Sequence, residues 1–94
     1  MRLHIDTDGA PLGDEIVSEC AKLAKMLVAK NRAYGNSALE PVRVFSRASV
    51  EEQLLGRSDD KLSRLARGDA AGEDVVADLA GYLVLLMVAR SRNA

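Results

Sequence analysis

The chain has 94 residues, 13 basic and 14 acidic, for a formal net charge of −1; that is one domain's length of polypeptide, with no global field to hold polyanionic duplex DNA. Hydrophobic residues make up 48% but aromatic residues only 3%, so a core has to be assembled from Ala, Val, Leu and Ile, which suits packed helices and disfavours a sandwich or barrel. The lone Cys20 and lone His4 exclude an intramolecular disulfide and a Cys- or His-based zinc site, leaving oxygen donors for any metal.

Residues 1–13 contain Asp6, Asp8, Gly9, Pro11 and Gly13, a turn-rich mixture that reads as an N-terminal arm with a short extended piece at Arg2 to Ile5. It has no apolar run followed by a small-residue cleavage site, so the expected location is the cytoplasm. From Asp14, the residues Ile16, Cys20, Leu23 and Leu27 recur at helical spacing, widened by Val17, Ala24 and Val28, which predicts a first helix over 14–32. Asp14 and Glu15 fall in its first turn, where the helix dipole favours negative charge, and Tyr34-Gly35 begins a loop. That loop runs to Ser49 with no sustained period, although Val42 to Phe45 are apolar enough to pack.

Ser49 and Glu52 form the S-x-x-E pattern of a capping box and open a second helix over 50–67, with Val50, Leu54, Leu55, Leu62 and Leu65 expected to point inward. Gly68 is a natural stop, and a short linker through Gly72 would return the chain for antiparallel packing. A third helix is predicted over 73–91. Val75, Val76, Leu79, Leu83, Leu85, Leu86, Met87 and Val88 cover most of its circumference, so it should be central or buried between subunits. Its apolar stretch from Val75 to Ala89 is roughly 22 Å as a helix, against about 30 Å of bilayer hydrocarbon, and Asp78 interrupts it, so no membrane span is expected. These elements predict one all-α domain over 1–94, a small antiparallel bundle of three main helices. So short a chain with so apolar a third helix should be completed by homo-oligomerisation, as a dimer or tetramer.

Asp78 carries the most chemical information. It lies one turn after Asp74 in an otherwise apolar helix, and an isolated buried carboxylate must be protonated, paired with a cation or bound to a metal. Asp74 and Asp78 on one face could serve as oxygen ligands for magnesium; alternatively, Asp74 sits in the solvated first turn and Asp78 pairs with Arg57, Lys61 or Arg64. Helix two offers further acids. Glu52 and Asp59 share a stripe with Gly56, flanked by Glu51 and Asp60, although Arg57, Asp60, Lys61 and Arg64 also alternate in sign as a solvated, salt-bridged face does. At the loop, Lys30, Tyr34 and Asn36 bring together a cation, a ring and an amide able to hold phosphate and stack a base.

In order, Lys-x-x-x-Tyr-Gly (Lys30, Tyr34, Gly35), Lys-x-x-Arg-Leu (Lys61, Arg64, Leu65) and Glu-Asp-x-x-x-Asp-Leu-x-x-Tyr-Leu (Glu73, Asp74, Asp78, Leu79, Tyr82, Leu83) resemble the nucleotide-modification-associated domain found in phage genomes. That family is similar in pattern to the MazG-like, all-α nucleoside triphosphate pyrophosphohydrolases. The resemblance implies an oligomeric helical bundle that binds a nucleotide through magnesium. Asp74, Asp78, Glu52 and Asp59 would be its metal ligands, and Lys30, Tyr34, Asn36, Lys61 and Arg64 would face the nucleotide. Activated water would then release pyrophosphate. The chain departs from the enzyme pattern: Glu51 and Glu52 are followed by Leu54 and Leu55 where a Glu-Glu-x-x-Glu run would stand, and position 75 is Val. Three functions are therefore in competition, namely a magnesium-dependent nucleotide hydrolase, a non-catalytic nucleotide-binding or sequestering module, and a structural helical oligomer that binds a protein partner.

Overall fold

The computed structural model describes residues 4–40, 47–68 and 74–93. Among these residues there are three α-helices and no strand, so the chain is all-α, as its composition and periodicity predict. Helix α1 spans Gly13–Tyr34, α2 Val50–Arg67 and α3 Val75–Arg92. Val42 to Phe45 and the linker at 69–73 lie outside the described residues, as do Arg2 and Leu3; His4 and Ile5 are not in a strand.

Two compact units divide the chain, Met1–Gly35 and Asn36–Ala94. In the first, the arm folds back on the start of α1. Thr7 Oγ1 donates to Asp14 Oδ1 at 2.6 Å, the Ala10 amide donates to the Thr7 carbonyl, and buried Gly13 is pressed so closely that a Cβ there would stand 2.7 Å from the Thr7 Cβ. The stripe expected along α1 is present but poorly covered: Ile16 and Cys20 are exposed, whereas Leu23 and Leu27 are half-buried.

In the second unit, α2 and α3 pack against each other in antiparallel fashion. Glu51 meets Arg90, Arg57 meets Tyr82 and Lys61 meets Asp78, so positions rise along one helix as they fall along the other. Both ends of α2 follow from local chemistry. Ser49 is the N-cap and its Oγ accepts from the Glu52 amide at 3.1 Å, while Gln53 Nε2 reaches back to the Ala48 carbonyl. Gly68 ends the helix at φ 70°, a left-handed conformation that glycine adopts without a Cβ penalty. Helix α3 starts two residues later than expected, because Asp74 is its N-cap and not part of its first turn.

The core between α2 and α3 consists of Leu54, which is 1% exposed, with Leu86 and Ala89; Leu39, Val50, Tyr82 and Leu85 pack around it. The inward set expected on α2 needs correction. Leu54 and Val50 face the seam, but Leu55, Leu62 and Leu65 are exposed, and Ser58 and Lys61 occupy the buried positions instead. Ser58 is tolerated because its Oγ donates to the Leu54 carbonyl at 2.9 Å. Lys61 is tolerated because its stem packs while its ammonium meets a carboxylate.

Candidate functional site in the helix seam

Asp78 sits at half-buried depth in the first turn of α3. Its Oδ2 lies 3.3 Å from Lys61 Nζ, with side-chain exposures of 21% for the aspartate and 11% for the lysine. Lys61, one of the three cations expected as possible partners, reaches it because it stands at the centre of α2's buried face. Arg64 pairs with Asp60 one turn away, at 3.4 Å, and the Arg57 guanidinium lies 6.0 Å from the centroid of the Tyr82 ring. The expected alternation of charge on α2 thus includes a pair between half-buried Arg64 and exposed Asp60 and a seam ion pair.

The other acids stand apart from this pair. Asp74 Oδ1 accepts from the Ala77 amide at 3.0 Å, the usual work of an N-cap carboxylate, and its carbonyl accepts from the Asp78 amide. Glu52 is exposed in the first turn of α2, nine residues before Lys61 and so about 14 Å along the axis from the level of Asp78. Asp59 is exposed on the outer side of α2. Among the described residues, no three His, Cys, Asp or Glu side chains group closely enough to hold a metal ion. The four carboxylates that the resemblance assigns to magnesium therefore do not assemble into one donor set here.

The residues expected to face a nucleotide are divided between the two units. Lys30 and Tyr34 lie one turn apart near the end of α1, both exposed. In the second unit, Asn36 opens a turn whose carbonyl accepts from the Leu39 and Glu40 amides. A shallow pocket of about 140 Å³ in that unit is lined by Leu39, Val50, Ala89, Arg92 and Asn93, none of them an expected site residue. Arg92 at its rim pairs with Glu40 at 3.5 Å.

Sequence reading foresaw more apolar area on the third helix than a small bundle could cover, but not the matching face on α2, whose leucines it turned inward. Leu55 and Leu62 lie about a quarter-turn round α2 from buried Leu54, and Val76, Leu83 and Met87 lie about a quarter-turn round α3 from buried Leu86. Glu51, one turn before Leu55, pairs across the hairpin with Arg90, one turn after Met87, at 3.2 Å. That bridge places both stripes on the same side. Together they form one apolar face with a neutral ion pair at one end, whereas Leu65, also exposed, lies in line with Leu54 and Lys61. Single-position periodicity could not have revealed it, because adjacent leucines at 54 and 55 allow two rotational phases for α2.

No family model matches the chain, and no curated protein or solved structure matches it either. No helix among the described residues is long and apolar enough to cross a membrane.

Proposed function

We propose that the chain is a cytoplasmic helical association module, whose second unit presents one face of an α-helical hairpin to a protein partner. The observation that carries this reading is the face itself. Five large aliphatic side chains, Leu55, Leu62, Val76, Leu83 and Met87, are 43 to 66% exposed on one side of α2 and α3. An apolar surface this continuous is costly to leave in water and is the usual mark of an interaction site. On this reading the acids build the hairpin: Asp74 caps α3, Asp78 neutralises Lys61 in the seam, and Glu51 ties the two helices together at their far end.

The magnesium-dependent nucleotide hydrolase, and its non-catalytic counterpart, form a second proposal. Besides the resemblance, it is favoured by Asp78 keeping a fifth of its side chain open to solvent beside Lys61, Arg57 and Tyr82. One titration separates the two proposals. The full chain is titrated in a calorimeter with magnesium and a panel of canonical and base-modified nucleoside triphosphates, and pyrophosphate release is assayed in parallel. The association module gives neither binding heat nor product. Magnesium-dependent binding that disappears in a folded Asp78→Asn variant rejects the association reading and establishes the nucleotide one.

A further inference from the structure

We infer that the occupant of the apolar face is a second copy of this chain, so that two α2/α3 hairpins pack face to face as a four-helix bundle. The inference rests on the association reading above and names its partner. Its first support is area. The five exposed side chains offer on the order of 450 Å² of apolar surface per copy, within the range of the largest patch on a typical monomer. Two copies together would bury on the order of 900 Å², the size of a weak, reversible interface. The second support is spacing. Val76, Ala80, Leu83 and Met87 follow one another at intervals of four, three and four residues, and Leu55 and Leu62 are seven apart, the repeat with which helices interlock in bundles.

Charge limits how the surfaces can meet: Glu51 and Arg90 neutralise each other within one hairpin, while exposed Asp59, one turn from both Leu55 and Leu62, has to stay at the rim of the paired surface. Need supplies the last support. A unit of roughly 60 residues buries about 60% of its unfolded surface and is marginal by itself. The buried hydrophobic side chains described in this one are Leu54, Val75, Leu86 and Ala89. A two-fold pair converts the largest exposed apolar area into core by using one patch twice.

The test is sedimentation equilibrium of the full chain over nanomolar to high micromolar concentration, with far-UV circular dichroism on every sample. The expected result is a dimer at micromolar concentration that Met87→Glu and Leu62→Glu convert to monomer, while Ile16→Glu on α1 leaves it intact. Should the glutamate variants unfold, Leu83→Ala decides the matter: it retains helix propensity and is expected to weaken the dimer by about tenfold or more. A wild-type monomer throughout the range overturns the inference, as does an unchanged dimer in the folded variants of the face, or dissociation by Ile16→Glu alone. A wild-type monomer leaves the association reading standing with a different partner. Magnesium-dependent nucleotide binding through Asp78 rejects that reading whatever the mass measured.

Discussion

A lysine stem and a serine hydroxyl occupy positions on α2 that an apolar stripe would have given to leucines. Ser58 solves its burial alone by donating to the carbonyl of Leu54, whereas Lys61 depends on Asp78 across the seam. That dependence sets the expected response to mutation. Asp78→Ala leaves a largely covered ammonium without its carboxylate and should cost about 1–3 kcal/mol in urea unfolding, below the full cost of a buried pair because a long lysine can swing its head toward water. The double replacement Lys61→Met with Asp78→Leu should recover most of the loss, since apolar groups of similar volume substitute well for such pairs. A double variant as unstable as Asp78→Ala alone would show that the pair is not the source of the effect. Asp78 was readable as a carboxylate needing a partner. Which of Arg57, Lys61 and Arg64 would supply the charge was not, because a snorkelling lysine leaves no hydrophobic signature in the sequence.

The helix ends were the most legible elements. Ser49 with Glu52 and the stop at Gly68 mark α2 to the residue, because capping is local chemistry that depends on a few adjacent side chains. The start of α3 was read two residues early, with Asp74 inside the first turn, since Asp74 looks the same in sequence whether it accepts from an amide or ligates a metal. Substitution tells the two roles apart. As an N-cap, Asp74 should tolerate Asn with little change in stability, while Asp74→Ala should cost about 1 kcal/mol in chemical denaturation. Equal losses for Asn and Ala would argue against capping as its role. Rotational phase was the least legible property. Neighbouring Leu54 and Leu55 satisfy the same period, and only packing against α3 selects which one turns inward.

For the whole molecule, the all-α class follows from an aliphatic composition almost devoid of aromatic rings, and it did not depend on phase or pairing. A site was harder to read because the acids are spread over two helices, and their convergence is decided by helix rotation. If two hairpins share a core, folding and association are one equilibrium, and the midpoint of thermal unfolding should rise with protein concentration. A midpoint independent of concentration over two decades would mean that each chain melts alone. Core truncation should be felt strongly: Leu54→Ala removes the most deeply buried large side chain and should cost about 2–5 kcal/mol by chemical denaturation.

Cys20 is exposed on α1, in the unit that does not contain the leucine face. Air oxidation could link two such thiols, and the tether would raise the effective molarity of any weak contact elsewhere in the linked chains. Covalent pairs of this origin vanish on adding dithiothreitol, whereas pairs held by aliphatic packing persist, so a reductant titration separates the two kinds of dimer before any residue is changed.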